Sequence, residues 1–399
     1  MKFRDFENNN YYRDSDLMNY DKHFSNKIKD KSFKYYNNRV IFHIDFDYFF
    51  AQCEELRNPK IKKIPVIVCV YSNRTTNSGV VSTCNYIARR YSIRSGMPIK
   101  TAKAKIKDLE SVFLPLDKPY YQKISSRAMK LISNFSSKQE IIGLDECFVD
   151  FTDQLKNSKT EESIKTANMI KEYILNHLSL TCSIGISYNK LLAKIASKYN
   201  KPNNIFIIDY ENSKKVISDF NISFIPGIGE KMKKLLYDKG IKTFEQLSRS
   251  NVDELKKEFG QKTAIYIYNA SRGINDEKIE INKKPKQYIK IKTIKYISND
   301  FSFLNKNLID LIKLIYDVVC DKKILYREIG LILITQDFEI KTHSKKLKLY
   351  SNHLDSLISV SSSLLNDILR SEPSMYRRIG IKISDLKDGS GQQTLFDFE

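Results

Sequence analysis

Residues 43–55 read HIDFDYFFAQCEE, an apolar stretch that carries two carboxylates, Asp45 and Asp47. A second apolar stretch, about 100 residues further along, reads GLDECFVDF and carries Asp145 and Glu146. An apolar run that is buried as a strand leaves its polar end at the edge of the sheet, where a site can form. The two stretches therefore predict strands that end in acids. The alternative is that the four acids are solvated and never meet.

Carboxylates that are brought together repel each other and lose solvation, so proteins tolerate them mainly where a divalent cation joins them. Oxygen ligands with no His or Cys nearby favour magnesium over zinc. Neighbours on a straight strand point to opposite faces, so Asp145 and Glu146 reach one metal cluster only if the backbone bends between them. The tight turn predicted at Gly143-Leu144 provides a place for that bend.

Charge is the strongest bulk property of the chain. Its 399 residues include 67 Lys and Arg against 47 Asp and Glu, which gives a net charge of +20. A protein this basic usually binds a polyanion, with nucleic acid as the first candidate and a membrane surface as the second. No apolar run is long enough to span a bilayer, and the Asn-rich start is not a signal peptide. We therefore expect a cytoplasmic protein.

The six cysteines form no CxxC pair, and most of them lie in apolar, strand-like runs. Buried reduced thiols are therefore favoured over a zinc site or disulfides. The small number of histidines, five in all, also argues against zinc.

Strands interleave with helices over much of the chain, which predicts an α/β or α+β multidomain protein with helices packed on sheets. The pattern predicts six segments: a disordered N-terminal extension at 1–38, a first domain at 39–208, a short-helix domain at 209–276, a linker at 277–285, a final domain at 286–387 and a flexible tail at 388–399. In the final domain, alternating Lys and Ile place a basic face on a sheet. That face serves either polyanion binding or the protection of an edge strand against aggregation.

The short-helix domain contains a glycine turn in front of a basic helix, in the stretch IPGIGEKMKK. Exposed backbone N–H groups at such a turn bind phosphate, and the N-terminus of the following helix assists them. Gly227, Gly229 and Lys231 are therefore candidate contacts to a DNA backbone. The alternative is a plain connector between two helices.

Seven stretches occur in the order and at the spacing of one known family. They are HIDFDYFFAQCEE, PVIVCV, GVVSTCNYIARRYSIRSGMP, GLDECFVDF, SIGISYNKLLAKIASKYNKPNN, IPGIG and RRIGIKIS. The chain from Arg39 to about Leu386 thus resembles the Y-family, or translesion, DNA polymerases, most closely the DNA polymerase IV type. The resemblance implies a right-hand polymerase with a palm, small fingers at about 57–115, a helical thumb with a helix-hairpin-helix, and a C-terminal little finger.

The resemblance also implies a chemistry. Deoxynucleotides would be added to a primer 3′ end on a DNA template, with damaged templates copied at low fidelity. Asp45, Asp145 and Glu146 would hold two magnesium ions, with help from the backbone carbonyl of Phe46. Two metal ions about 3.5–4 Å apart stabilise the attacking and leaving oxygens of an in-line displacement. Asp47 matches an acid that is usually structural and is left out of the metal shell.

The family pattern assigns further residues to the incoming nucleotide: Tyr48, Phe49, Phe50, Thr83, Tyr86, Arg89 and Lys201. Phe50 would be the steric gate, whose ring leaves no room for a ribose 2′-hydroxyl, and a plain core aromatic is the alternative. Thr83 is a candidate cap of the helix that carries Tyr86 and Arg89, which lie three residues apart and share a face. Without the resemblance, a surface ion pair is the favoured interpretation of Arg89.

Three positions depart from the family pattern. Gly143 replaces the usual Ser before the acidic pair, Ile87 replaces a common Glu, and Tyr188 stands where a Lys is frequent. None of them removes a metal ligand, so the expectation of activity stands. They leave the rate and the lesion preference open.

The tail GQQTLFDFE follows a Gly-Ser-Gly linker and resembles a sliding-clamp binding peptide. Gln392, Leu395, Phe396 and Phe398 are the candidate contacts, since a glutamine and hydrophobic anchors fill a pocket while the linker stays flexible. Tethering to a clamp would raise the local concentration of the enzyme on DNA. The expected partners are primer–template DNA, deoxynucleoside triphosphates and the clamp, for a monomer with no membrane contact.

Two other functions stay open. The first is a catalytically silent DNA- and clamp-binding scaffold of the same fold, which primer extension by the purified protein distinguishes from an enzyme. The second is a nucleotidyl cyclase with a similar two-metal palm. The cyclase does not explain the glycine turn, the basic final domain or the tail.

Overall fold

The computed structural model describes residues 39–72, 74–75, 77–155, 160–281, 284–371 and 374–389. The extension predicted at 1–38 and nearly all of the predicted tail lie outside the described residues. The described chain divides into two compact units. The larger unit contains residues 39–70 and 80–281, and the smaller unit contains residues 71–79 and 284–389.

The first part of the chain alternates strands and helices, as predicted. Its elements are β1 (Ile41–Phe46), α1 (Phe49–Arg57), β2 (Val66–Tyr71), β3 (Gly79–Cys84), α2 (Tyr86–Arg90), α3 (Ile99–Lys105), β4 (Val112–Pro115), α4 (Lys118–Ser133), β5 (Gln139–Ile141), β6 (Glu146–Asp150), α5 (Thr152–Leu155), α6 (Thr160–Leu178), β7 (Cys182–Ser187), α7 (Lys190–Lys198) and β8 (Ile205–Ile208). The predicted pair of short strands on either side of Gly143-Leu144 is confirmed as β5 and β6.

β1 is the central strand of a five-stranded sheet with the order β5-β6-β1-β7-β8, and it pairs antiparallel with both β6 and β7. Alternate residues of a strand point to opposite faces. Phe42 and Ile44 therefore join the large core that includes residues of α4 and α6, whereas His43 and Asp45 lie on the face where α7 packs. The β1–β6 register places Asp45 directly opposite Glu146, so the two acidic stretches meet.

Helix α7 lies against β7 at a separation that only glycine permits. A Cβ atom on Gly185 would lie 2.0 Å from the carbonyl oxygen of Ala193 and 2.2 Å from the amide nitrogen of Ser197. The close approach brings the Ser197 hydroxyl within 2.7 Å of Nδ1 in the buried ring of His43. Gly185 thus holds α7 against the sheet face that carries Asp45.

A second sheet has the order β3-β2-β4, with β2 and β4 parallel. The predicted helix that carries Tyr86 and Arg89 is present as α2, but Thr83 is a residue of β3 and does not cap this helix. The N-cap of α2 is Asn85, whose side-chain oxygen accepts a hydrogen bond from the amide of Ala88 at 3.0 Å. The prediction for Thr83 as a cap is wrong because β3 continues to Cys84.

The short helices predicted after Tyr210 are confirmed as α8 (Ser213–Ile217), α9 (Glu230–Asp238), α10 (Phe244–Ser248), α11 (Val252–Phe259) and α12 (Gln261–Ser271). Their core includes Ile222, Leu236 and Phe244 and is continuous with side chains of α7. Gly227 adopts a φ of +91°, a left-handed conformation that glycine tolerates, in the turn before α9.

A buried ion pair joins the start of α7 to β5 of the five-stranded sheet. Lys190 Nζ lies 2.8 Å from Glu140 Oε2, and the two side chains are 7% and 1% exposed. The amide of Glu280 donates to the same carboxylate oxygen at 2.9 Å. Loss of one charge of a buried pair typically costs about 3–5 kcal/mol of stability, because the other charge is left unpaired.

The smaller unit contains β9 (Gln287–Ser298), α13 (Phe301–Lys322), β10 (Ile324–Thr335), β11 (Ile340–Ser351), α14 (Leu354–Ser371) and β12 (Tyr376–Asp388). Its four-stranded sheet has the order β11-β10-β12-β9. β9, which contains the Lys-rich stretch, is therefore an edge strand, as predicted. Helices α13 and α14 pack on this sheet around a core that includes Leu308, Leu331 and Ile381.

All six cysteines are free thiols, and five of them are buried, as predicted. Cys320 is the exception, because it lies on α13 and is exposed. None of the helices in the described part of the chain is long and apolar enough to cross a membrane.

Candidate active site

Three carboxylates meet where β1 and β6 lie side by side. Asp45 faces Glu146 across the strand pair, and the amide of Phe46 donates to the carbonyl oxygen of Asp145 at 2.8 Å. Asp145 ends a bend over residues 143–145 and immediately precedes β6. The bend that the two neighbouring acids require is thus present where the sequence predicts it.

Glu146 is contacted by a lysine and a histidine. Lys194 Nζ lies 2.6 Å from Oε1 and 2.9 Å from Oε2 of Glu146, and His43 Nε2 lies 3.3 Å from Oε2. Burial alone would raise the pKa of Glu146, but its contacts with His43 and Lys194 outweigh burial and lower the pKa to about 2. Glu146 is therefore ionised at neutral pH.

Asp45 and Asp145 differ in their partners. Lys201 Nζ lies 2.5 Å from Asp45 Oδ1, whereas no Lys or Arg of the described residues forms an ion pair with Asp145. Burial, together with the charges of Asp45 and Glu146, raises the pKa of Asp145 to about 6. Asp145 thus lacks an ammonium partner and is costly to ionise, as expected of a buried carboxylate held beside other acids without a cation.

A histidine lies beside these acids, so the expectation that no His is near them is wrong. One ligand atom each from His43, Asp45 and Glu146 lie within 4.8 Å of one another. The His43 ring is fully buried beside Phe148, and burial lowers its pKa, so the ring is neutral. Nδ1 of His43 contacts Ser197 and Nε2 faces Glu146. We therefore interpret His43 as a partner of Glu146 and not as a metal ligand, so that the candidate metal ligands are all oxygen atoms.

A cleft of about 250 Å³ opens beside the acids. It is lined by Asp45, Phe46, Tyr48, Phe49, Phe50, Ser82, Thr83, Tyr86, Arg89, Ser95, Asp145 and Lys201. All seven residues that the sequence predicts for the incoming nucleotide lie in this lining. Ser82 and Ser95 are additional lining residues that sequence analysis missed, because a single serine in a polar loop or half-buried strand gives no signal.

The chain turns sharply between β1 and α1 at Tyr48, whose φ of 36° is left-handed. The turn directs the N-terminus of α1 to the cleft, where unpaired backbone N–H groups favour an anion. The Tyr48 hydroxyl donates to Glu55 Oε2 at 3.2 Å, and its ring packs edge-on against Tyr86 with centroids 5.2 Å apart. These contacts fix the conformation of the turn.

Phe50 lies both in the cleft and against the core. Its ring stacks on the buried ring of Tyr121, with centroids 4.7 Å apart and planes 14° from parallel. Its place in the cleft lining leaves part of the ring open to a ligand. The core interpretation and the steric-gate interpretation are therefore compatible.

Tyr86 and Arg89 share a face of α2, as predicted, with the guanidinium carbon 4.6 Å from the ring centre. Arg89 Nε donates to the carbonyl oxygen of Cys84 at 3.2 Å, and Arg89 forms no ion pair with any acid in the described part of the chain. The Tyr86 hydroxyl is buried and has no hydrogen-bond partner among the described residues. Because a buried hydroxyl without a hydrogen-bond partner is costly, the Tyr86 hydroxyl is suited to form a hydrogen bond with a ligand.

Asp47 is fully buried and lies outside the cleft lining. The Ser183 hydroxyl and the amide of Asn203 each donate to its carboxylate at 2.8 Å. Asp47 thus joins the end of β1 to β7 and to the loop that carries Lys201. This arrangement fits the structural role that the resemblance implies.

The glycine turn of the helical region is open to solvent. Gly227, Gly229 and Lys231 are all exposed, and Gly229 is the N-cap of α9. The Tyr266 hydroxyl donates to the carbonyl oxygen of Pro226 at 2.9 Å and so supports the turn. The turn therefore presents a helix N-terminus and an ammonium group to a ligand.

The four predicted clamp contacts, at positions 392, 395, 396 and 398, lie outside the described residues.

Tyr188 is the departure with the clearest structural consequence. It is 8% exposed, and its hydroxyl lies 3.2 Å from Ser213 Oγ and 3.4 Å from the carbonyl oxygen of Gly273. It thus connects the start of α7 to the helical region without burying a charge.

Gly143, the departure before the acidic pair, is exposed. A Cβ atom there would meet Asp145 Oδ1 at 3.5 Å, an ordinary contact, so the usual serine would fit.

Three family models match the chain in order. The impB/mucB/samB family matches residues 44–198, the DNA polymerase-iota thumb domain matches residues 223–275, and the impB/mucB/samB family C-terminal domain matches residues 285–395. Among curated relatives, DNA polymerase IV of Nitrosopumilus maritimus is 38% identical over 361 residues, which cover 90% of this chain and 99% of the relative. DNA polymerase IV of Saccharolobus solfataricus is 34% identical over 362 residues, with the same coverage.

Solved structures agree with the sequence comparisons. A Y-family DNA polymerase chimera of Dbh and Dpo4 has a TM-score of 0.80 at 32% identity, over 88% of this chain and 99% of the chimera. An insertion ternary complex of Dbh DNA polymerase has a TM-score of 0.64 at 32% identity and the same coverage. The chain therefore belongs to the Y-family DNA polymerases. It is a DNA-directed DNA polymerase of the DNA polymerase IV type, with a helix-hairpin-helix thumb and a C-terminal little finger, which confirms the predicted fold class and excludes the cyclase.

Proposed function

We propose that this polymerase extends a primer 3′ end by a two-metal mechanism, with two magnesium ions held by Asp45, Asp145, Glu146 and the backbone carbonyl of Phe46. The observation that carries the proposal is the meeting of three carboxylates at one side of a cleft whose other walls offer cationic and hydroxyl groups. Primer–template DNA and deoxynucleoside triphosphates are the substrates.

The donor set suits a hard divalent cation, because it consists of carboxylate and carbonyl oxygens. Asp45 and Glu146 are each paired with an ammonium group, and the pKa of Asp145 is raised. The raised pKa follows from burial and from the charges of Asp45 and Glu146, and divalent cations would neutralise the charges that meet here. When bound, two magnesium ions would lower the pKa of the primer hydroxyl and neutralise the triphosphate and the departing pyrophosphate.

Residues of this chain would bind and orient the triphosphate. Tyr86, Arg89 and Lys201 supply a hydroxyl, a guanidinium and an ammonium group, and charge-assisted hydrogen bonds to phosphate are strong. Thr83 adds a second hydroxyl to the same wall. The turn at Tyr48 and Phe49 adds the backbone N–H groups at the N-terminus of α1. Together these groups would hold the reacting phosphate in line with the primer end.

Phe50→Ala should admit ribonucleotides. Without the ring, the cleft has room for a 2′-hydroxyl, and we expect the preference for deoxynucleotides, as a ratio of kcat/KM values, to fall by about 10- to 200-fold. The measurement is single-nucleotide insertion with matched deoxy- and ribonucleoside triphosphates. Phe50→Tyr, which keeps the ring, should keep the preference. An unchanged ratio in an active Phe50→Ala enzyme would contradict the gate assignment.

Low fidelity and the copying of damaged templates are part of the proposal. Ser82, Thr83 and Ser95 line the cleft with small side chains. Side chains of this size impose weak steric selection on a base pair, which supports the acceptance of distorted bases.

The proposed domain boundaries are 39–208 for palm and fingers, 209–276 for the thumb and 286–387 for the little finger.

DNA binding should depend steeply on salt, because each phosphate contact releases counterions. Gly227, Gly229 and Lys231 are proposed to hold the DNA backbone at the thumb. Lys231→Ala should lower the slope of log K against log salt by about 1, without sequence preference. Fluorescence anisotropy over a salt series measures the slope, and Lys130→Ala, an exposed lysine on α4, is the matched control. A flat salt profile of the unmodified protein would remove the thumb assignment.

The tail is proposed to bind a sliding clamp through Gln392, Leu395, Phe396 and Phe398, for a monomeric enzyme in the cytoplasm. The support is the sequence pattern of the tail, its Gly-Ser-Gly linker and the polymerase family of the preceding chain. A clamp tether would offset weak DNA binding by the enzyme alone.

Primer extension by the purified protein tests the proposed function as a whole. With primer–template DNA, deoxynucleoside triphosphates and Mg²⁺, the protein should lengthen the primer, and chelation of Mg²⁺ should stop the reaction. No extension under these conditions would favour the catalytically silent scaffold instead. No observation on the described residues favours that scaffold at present.

A further inference from the structure

Glu146 carries a cationic partner that the proposed reaction does not use. Lys194 Nζ contacts both carboxylate oxygens, at 2.6 and 2.9 Å, and the two side chains are only 21% and 19% exposed. Solvent and salt screen such a partly buried pair much less than a surface pair. The pair is also held in place by the fold, because Gly185 lets α7 pack directly on the sheet.

Lys194 differs from Lys201, the other lysine at these acids. Lys201 lines the nucleotide cleft, where it can reach a triphosphate, whereas the cleft lining does not include Lys194. Lys194 therefore approaches Glu146 from the side of α7 and away from the nucleotide. A role as a phosphate contact does not account for it.

The charges of the site show what Lys194 does there. Of the three acids, Asp45 contacts Lys201 and Glu146 contacts Lys194, whereas no described Lys or Arg forms an ion pair with Asp145. Lys198, one turn further along α7, interacts with Asp45 and Glu146 electrostatically but forms no ion pair with either among the described residues. Loss of Lys194 would leave Glu146 without an ammonium contact.

We propose that Lys194 is a built-in counterion of Glu146, which orients this carboxylate in the DNA-free enzyme and competes with divalent cations for it. This inference rests on the proposed metal centre. Its consequence is that divalent cations bind weakly until the phosphates of the incoming nucleotide add their own charge. Lys194 is thus a positioning residue that links metal occupancy to nucleotide arrival.

The test is the binding of Mn²⁺ to the full-length protein without DNA or nucleotide, with free Mn²⁺ measured by electron paramagnetic resonance. Lys194→Met should bind Mn²⁺ at least about fivefold more tightly, because Mn²⁺ no longer competes with the attraction between Lys194 and Glu146, two unit charges that attract by about this factor at 4 Å even in a water-like dielectric. Lys194→Gln should change the affinity in the same direction, and Lys194→Arg should keep the original affinity. Lys165→Met, which removes an exposed lysine of α6, is the control for net charge.

A double-mutant cycle assigns the effect to Glu146. In a Glu146→Gln background, Lys194→Met should change the Mn²⁺ affinity by less than about twofold, because the competed carboxylate is gone. Thermal melting of each variant checks that it is folded. Equal or weaker Mn²⁺ binding by folded Lys194→Met and Lys194→Gln would overturn the counterion role while leaving the metal centre intact. Mn²⁺ binding that Asp45→Asn and Asp145→Asn leave unchanged would instead overturn the metal centre itself.

Discussion

Asp145→Asn should lower the rate of primer extension by at least about 10³-fold, at the upper end of what loss of one preorganised electrostatic group costs. The substitution keeps the size of the side chain and removes one negative charge from the proposed metal shell. DNA binding should change little, because Asp145 lies in the cleft that is proposed to bind the nucleotide and the proposed DNA contacts lie on the thumb. Single-turnover insertion of one nucleotide measures the rate, and anisotropy measures the DNA affinity.

Asp153→Asn is the matched control for this experiment. Asp153 undergoes the same chemical change on α5, where its side chain is 70% exposed and pairs with Lys138. Exposed pairs contribute little to stability, so the control should extend primers at the original rate. Extension by Asp145→Asn at the rate of the control would remove Asp145 from the metal shell.

Gly185→Ala should destabilise the protein by more than about 3 kcal/mol, at the severe end for an overpacked core. The added Cβ would lie 2.0 Å from the backbone oxygen of Ala193, and a backbone atom of a packed helix has no easy way to move aside. Displacement of α7 would also separate Ser197 from His43 and shift Lys194 from Glu146. Denaturant unfolding followed by circular dichroism measures the loss.

Gly143→Ala is the control for backbone substitution. Its added Cβ would make an ordinary contact at 3.5 Å, and its φ is not left-handed. We expect a change of less than about 1 kcal/mol in the free energy of unfolding. If Gly185→Ala were as stable as this control, the close packing of α7 on β7 would not be needed for the fold.

The sequence alone was sufficient to predict the strands and helices that follow from local patterns of apolar residues, together with the acids at the strand ends. Apolar runs predicted β1 and β6, and the bend before Glu146 followed from the period of a strand. Family order then predicted the fold class and the residues that line the cleft. His43 was also within reach of this reasoning, since residues two apart on a strand share a face and His43 stands two before Asp45.

The contacts of Glu146 with Lys194 could not be predicted in the same way. They depend on the β1–β6 register and on how closely α7 packs on β7, which Gly185 controls. These are long-range properties that no local pattern encodes. The cap of α2 was missed for a simpler reason: β3 extends to Cys84, so Asn85 takes the role that was assigned to Thr83.

The central claim is that Asp45, Asp145 and Glu146 together hold divalent cations between a primer end and a triphosphate. Crystals of the enzyme with primer–template DNA, a non-hydrolysable deoxynucleotide and Mn²⁺ test it by anomalous scattering at the manganese edge. We predict two peaks about 3.5–4 Å apart that all three carboxylates contact. A well-ordered nucleotide with no anomalous peak at these carboxylates would contradict the claim.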